Sequence, residues 1–123
     1  MIAGLGNDLV QVSRIQQALQ RHPRIAQRFL TPDEWRQWQD VRDQARWLAK
    51  RFASKEAASK ALGTGFRQGL SWHDMAVGHD ALGKPELIWL GPLRRRAEAE
   101  GWKTWLSLSD EQDYVLATVL LEI

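Results

Sequence analysis

The sequence predicts an α+β domain in which helices pack on a mostly antiparallel sheet. Three observations predict it. Apolar residues recur at threes and fours through much of residues 12–62, the period of helices. Short aliphatic and β-branched runs divided by turn signals fill much of residues 75–121, the pattern of strands. No repeat, low-complexity stretch or linker interrupts the chain, so residues 1–123 read as a single domain.

Each element has its own signal. Ile2 to Val10 is mostly apolar with Gly4 and Gly6 inside. This predicts a short buried strand that approaches another backbone closely. Asp8 falls near its end or in its continuation. Val12, Ile15, Ala18 and Leu19 then mark a helix, capped by Gln11 or Ser13, with Pro23 as its stop or a break. Thr31-Pro32-Asp33-Glu34 starts another helix. Threonine can cap the chain end, proline suits the first helical position, and Glu34 stands three residues after the cap. That helix carries Trp35 and Trp38. A longer one covers about 43–62, with Ala45, Leu48, Phe52 and the alanines around Lys55 as its apolar positions. Gly63-Thr64-Gly65 ends it.

The second half reads as strands with one helix between them. Met75 to Val77 and Glu86 to Leu90 are strands flanking a Leu82-Gly83-Lys84-Pro85 turn. Leu93 to Glu100 is a helix ended by Gly101. Lys103 to Ser109 and Tyr114 to Leu121 form a hairpin through Asp110 to Asp113.

Bulk composition narrows the function classes. The chain is 44% hydrophobic and 26% charged, ordinary for a globular domain, and no apolar run nears the ~20 residues a membrane span needs. There is no cysteine, which excludes disulfides, thiolate metal sites and a cysteine nucleophile. The N-terminus lacks a basic region followed by an apolar stretch, so a cytoplasmic location is expected. Net charge is only +2, yet no acidic residue lies between Asp8 and Asp33, where Arg14, Arg21, Arg24 and Arg28 fall beside His22. Arg14 and Arg21 are seven apart and share a helix face. Such a patch favours an anionic partner, although a solvated face has the same pattern.

The segment from Arg51 to Gly65 carries the most chemistry. On a helix Phe52, Glu56, Ser59, Lys60 and Gly63 fall along one side. An acid, a hydroxyl and a base then point the same way, one turn before a glycine-rich loop able to cradle a phosphate. Taken alone, Glu56 and Lys60 also fit a surface ion pair worth about 0.3–0.5 kcal/mol. Their company shifts the reading. Gly6-Asn7-Asp8 brings a second carboxylate, and two carboxylates beside phosphate suit Mg²⁺, which takes one or two protein oxygens and leaves the rest to water and substrate. Trp35, Trp38 and Trp47 read as core or subunit-contact residues. His22, His73 and His79 lack ligand spacing and read as surface or satisfied histidines. Arg94-Arg95-Arg96 reads as a solvated face.

Gly6-x-Asp8 with Arg14 six residues on, followed by Arg51-Phe52-x-x-Lys55-Glu56-Ala57-x-x-Lys60-Ala61 and Gly63-Thr64-Gly65, resembles the two signatures of the 4'-phosphopantetheinyl transferase superfamily. Length and whole-chain match are similar to its small bacterial branch, the holo-[acyl-carrier-protein] synthases. Leu30-Thr31-x-x-Glu34 and Leu82-Gly83-Lys84-Pro85 fall where that branch has similar segments, and the likeness runs from about residue 2 to 121.

The resemblance implies a 4'-phosphopantetheinyl transferase-like fold and a Mg²⁺-dependent transfer in fatty acid biosynthesis. Phosphopantetheine would pass from coenzyme A to a serine of apo acyl carrier protein, releasing 3',5'-ADP. Asp8 and Glu56 would hold Mg²⁺. Lys60 would contact the attacked phosphate. Arg51 and the Gly63, Thr64, Gly65 turn would help hold the nucleotide. Arg14, Arg21 and Arg24 would dock the acidic carrier. Active sites would lie between the subunits of a homotrimer. Glu56, or a metal-bound water oriented by it, would take the serine proton. Many members carry a histidine where this chain has Asp110, so that contact is not carried over. The basic stretch and a pI of about 9.3 fit a nucleic-acid module as well. That reading is weakened by the small net charge and the lack of an exposed aromatic stacking motif. The carboxylate pair also suits a phosphohydrolase, and a non-catalytic subunit is the third alternative.

Overall fold

The computed structural model describes residues 1–65 and 69–123. In chain order these form β1 (Ile2–Gln11), α1 (Val12–Arg21), α2 (Ile25–Phe29), α3 (Pro32–Trp38) and α4 (Gln44–Leu62). A 3₁₀ turn at Trp72–Asp74 leads into β2 (Met75–His79) and β3 (Pro85–Trp89). Then follow α5 (Gly91–Glu100), β4 (Lys103–Asp110) and β5 (Tyr114–Glu122). The α+β expectation holds, with every strand pairing among the described residues antiparallel.

The strands divide into two sheets rather than one. β1, β5 and β4 form a three-stranded sheet in that order, and β2 and β3 form a separate hairpin. The hairpin abuts β4 without laddering to it; the Trp89 indole N–H donates to Thr104 Oγ1 across the seam at 2.8 Å. Pro23 proves to be both a stop and a break. α1 ends at Arg21, and a five-residue helix, α2, follows it. Gln11 occupies the N-cap of α1 with no side-chain cap. The Val12 N–H instead donates to Asp113 O, which ties the start of α1 to the β4–β5 turn.

The capping box of α3 forms as its sequence predicts: Glu34 N–H donates to Thr31 Oγ1, and Thr31 N–H donates to Glu34 Oε1. α4 is the axis of the molecule. Strand β1 and sheet residues of β5 cover one side of it, and α1, α2, α3 and β2 reach the others. This explains its run of small residues: Ala49, Ala53, Ser54, Ala57, Ala58, Ser59 and Ala61 are all buried. Phe29, Phe52 and Trp72 form a ring cluster at its flank, with centroids about 5 Å apart.

β1 is not a buried strand. Alternation sends Gly4, Gly6, Asp8 and Val10 toward α4 and leaves Leu5 and Leu9 on the far face, 64% and 63% exposed. An apolar run on both faces looks buried in sequence; here only one face has a covering layer within the chain. Among the described residues, no helix is long and apolar enough to cross a membrane.

Candidate active site

The two glycines of β1 set the distance between strand and helix. A Cβ on Gly6 would lie 2.1 Å from Ala57 O and 2.7 Å from Ala61 N; on Gly4 it would lie 1.9 Å from Ala61 O. Side chains at these positions would collide with helix backbone, so glycine is what permits the contact. Asp8 follows Gly6 on the same face. Its carboxylate therefore arrives over the Glu56–Lys60 turn of α4.

Lys60 Nζ donates to Asp8 Oδ1 at 3.1 Å and to Asn7 O at 3.0 Å. The surface ion pair open to Lys60 in sequence does not form with Glu56; its partner is the acid on the strand. Asp8 is 17% exposed at its side chain and Lys60 52%, so the ammonium stands at the mouth of the site. Glu56, half-buried one turn earlier, has its pKa raised. Burial is the main cause, the Asp8 charge adds to it, and Lys60 partly opposes it. No hydrogen bond contributes to that balance.

Two carboxylates thus converge beside one ammonium. Among the described residues no group of three or more His, Asp or Glu side chains is placed to hold a metal ion, so the carboxylates available to an ion here are those of Asp8 and Glu56. That donor set suits a hard cation that keeps water or phosphate in its remaining positions. A dication would also offset the Asp8 charge, the lesser of the two causes that raise Glu56. Asp8 and Glu56 line a cleft of about 460 Å³. Arg14 and Ile15 of α1, Phe29 of α2 and Phe52 of α4 line the rest.

Arg51 is elsewhere. Its guanidinium lies over the Trp47 ring, 3.6 Å from the centroid, and the residue is 5% exposed. Burial lowers its pKa to about 10, with Glu34 pulling the other way. Its Nε has no hydrogen-bond partner among the described residues. It lines a second cleft, of about 430 Å³, together with Arg46, Lys50, His79 and Asp110. The Gly63 turn begins twelve residues further on, roughly 18 Å along the helix axis at 1.5 Å per residue. Arg51 and the turn therefore cannot grip one phosphate, although an extended ligand could meet both. Two turn N–H groups are already engaged: Gly63 donates to Lys60 O and Gly65 to Ser59 O. The Thr64 hydroxyl donates to Gly65 O.

Arg14, Arg21 and Arg24 are exposed, and none forms an ion pair among the described residues. Arg14 alone of the three lines the Asp8–Glu56 cleft.

Three roles escaped the sequence reading. Lys55 turns away from the site into the core, where Nζ meets Glu34 Oε1 at 2.6 Å. The legible signal was the Thr31-x-x-Glu34 box, but its partner 21 residues away was not. Trp47 is a shelf for a guanidinium rather than plain core, and His79 faces the Arg51 cleft. No local pattern marks either.

The chain is similar to known proteins along nearly its whole length. A model of the 4'-phosphopantetheinyl transferase superfamily matches residues 4–119. A holo-[acyl-carrier-protein] synthase of Vibrio parahaemolyticus is 49% identical, covering 98% of each chain. The crystal structure of the Neisseria meningitidis holo-[acyl-carrier-protein] synthase superposes with a TM-score of 0.92 at 44% identity, covering all of both chains. A Bacillus anthracis synthase determined in complex with CoA (3',5'-ADP) superposes at 0.84, 33% identical, covering 99% of this chain and 97% of that one. With the family model spanning nearly all of it and relatives at about half identity from end to end, this chain belongs to the 4'-phosphopantetheinyl transferase superfamily, in its holo-[acyl-carrier-protein] synthase branch.

Proposed function

We propose that the chain transfers 4'-phosphopantetheine from coenzyme A to a serine of apo acyl carrier protein, with Asp8, Glu56 and Lys60 as its reaction centre. The convergence of these three side chains where β1 meets α4 carries the reading. Phosphoryl transfer needs chiefly positioning and charge stabilisation, and a paired carboxylate set with an adjacent ammonium supplies both.

The serine Oγ attacks the pantetheine-side phosphorus. An Oγ–P bond forms, the bridging P–O bond breaks, and 3',5'-ADP leaves with the bridging oxygen. Lys60, half exposed at the mouth, offers its ammonium to the phosphoryl oxygens as their charge grows. Glu56, beside both Asp8 and Lys60, accepts the serine proton directly or through a water. Asp8 and Glu56 fit Mg²⁺, which when bound supplies positive charge to the pyrophosphate oxygens.

The nucleotide end has its support in the second cleft. Arg51 there combines a permanent charge, an aromatic shelf and an unpartnered Nε, features suited to a phosphate or a ring. Gly63, Thr64 and Gly65 stand at the far end of α4, where the pyrophosphate side of an extended ligand would lie. Arg14 at the cleft, with Arg21 and Arg24 exposed further along, presents charge unpaired among the described residues, which suits an acidic carrier.

Self-association into a homotrimer is supported by the uncovered sheet face. Leu5, Leu120 and Trp105 lie in one row across it, and Leu9 and Leu116 in another. Four of these five are exposed, an apolar surface of the kind that marks interfaces. A cytoplasmic site of action in fatty acid biosynthesis completes the reading.

The deciding experiment is the intact mass of apo acyl carrier protein after incubation with this protein, coenzyme A and Mg²⁺. A gain of one phosphopantetheine, abolished by EDTA, is expected. An unmodified carrier, with a known transferase modifying the same batch, would overturn the assignment. Hydrolysis of coenzyme A without a carrier would instead favour a phosphohydrolase.

A further inference from the structure

The Arg51 cleft contains a charge that works against an anion. Asp110, the last residue of β4, projects among its cations. Its Oδ2 accepts from Arg46 Nη1 at 3.1 Å, and its Oδ1 lies 3.7 Å from Lys50 Nζ. Both basic residues belong to α4, so Asp110 faces the row of side chains that includes Arg51.

The two cations are held very differently. Arg46 also donates to Asp43 Oδ2 at 3.3 Å, to Glu111 O at 2.7 Å and to Gln112 O at 2.6 Å. Removing Asp110 would leave it anchored. Lys50 has one ion pair among the described residues, that with Asp110, and at 3.7 Å it is longer than a hydrogen bond. Its side chain is about one-third exposed, as is that of Asp110. Lys50 is therefore the cation free to change partners. Arg51, nine-tenths buried with an orphaned Nε, is a separate sign that this cleft takes a polar ligand.

We propose that Asp110 is an internal counter-ion of this cleft: it holds Lys50 while the cleft is empty, yields it to an incoming phosphate, and thereby lowers the affinity for the anionic nucleotide. The inference rests on the reading that the Arg51 cleft receives the nucleotide end of coenzyme A. Asp110 must lose its partner before a phosphate gains one, so each binding event carries an opposing exchange. The competition is for the Lys50 ammonium, and because both side chains are about one-third exposed, salt weakens it. The consequence is release. A synthase that held 3',5'-ADP tightly would be occupied by its own product, and Asp110 favours its departure.

The test is calorimetric titration of the full chain with 3',5'-ADP in EDTA, which keeps metal at Asp8 and Glu56 from contributing. Asp110→Asn should bind about three- to tenfold tighter than the natural protein. The gain should shrink in 0.5 M salt. It should vanish in the Lys50→Met background, because the proposal routes it through that ammonium. Natural protein that binds, with Asp110→Asn equal or weaker, would overturn the counter-ion role and leave the cleft assignment intact. A gain that persists without Lys50 would also overturn it. No binding by the natural protein at millimolar ligand would remove the cleft assignment and this inference with it. Asp110→Ser carries the same test if the asparagine variant does not fold.

Discussion

Lys55 Nζ and Glu34 Oε1 meet 2.6 Å apart in the core, with side chains 0% and 3% exposed. The pair is satisfied on all sides. Lys55 also donates to Phe29 O and Trp72 O, while Glu34 accepts from Thr31 N and Val77 N. Five segments thus meet at one ion pair: the end of α2, the cap of α3, α4, the 3₁₀ turn and β2. Breaking a buried pair strands its partner, which costs about 3–5 kcal/mol. Lys55→Met is expected to lower stability by that amount. Glu34→Ala should cost at least as much, since Val77 and Thr31 N–H groups lose their acceptor as well. In the double variant the losses should fall well short of additive. Urea titrations of the four proteins, compared at a common slope, measure this.

Gly6→Ala tests the strand–helix approach. A methyl there meets Ala57 O at 2.1 Å, with backbone on both sides, so β1 must move away from α4. Overpacking of this kind costs about 1–3 kcal/mol. The displacement carries Asp8 from its place over Lys60, and transfer activity is expected to fall more than 100-fold on the scale of lost positioning. A variant that folds, melts nearly as the natural protein does and transfers at full rate would contradict the geometry described for Asp8.

Lys60→Met separates two effects. Lys60 now neutralises Asp8, so its removal leaves two carboxylates with less opposing charge. Mn²⁺, used as a spectroscopic probe, is expected to bind several-fold tighter. Turnover should nevertheless drop about 10²–10³-fold, the usual cost of losing one preorganised charge. The opposite pairing, weaker metal with preserved turnover, would show that Lys60 acts on the metal rather than the phosphate. The fold should be unaffected, because the side chain is 52% exposed.

Arg14→Glu should raise the KM for acyl carrier protein about tenfold and leave the KM for coenzyme A unchanged. Arg14 lines the cleft of Asp8 and Glu56, where its charge would meet an acidic carrier. The difference between variant and natural protein should narrow as salt is raised, which steady-state kinetics at two ionic strengths would show.

Leu9→Lys tests the open sheet face. Leu9 is 63% exposed and faces away from α4, so a charge there should not disturb the fold of one chain. Sedimentation is expected to report a trimer for the natural protein and a monomer for the variant. Unchanged sedimentation would place any self-association elsewhere.

Most elements were legible because their signals are local. Thr31, Pro32 and Glu34 sit within one turn, and the capping box needs nothing outside it. Gly63 ends α4 with φ 82°, a conformation glycine adopts without the cost a Cβ brings. α2 was not legible: five residues show no full helical period, and tertiary contacts of Ala26 and Phe29 hold them.

The sequence by itself determined the α+β class, the order of the elements apart from α2, the close approach of the glycine strand and the candidate carboxylates and lysine. Those follow from residue types and spacings that act within a turn or two of chain. Only the tertiary structure decided the partners. It paired Lys60 with Asp8 rather than Glu56, sent Lys55 inward to Glu34, and left one face of β1 bare. Each involves groups brought together by packing from separate segments, and side-chain spacing along one element cannot report where another element will lie.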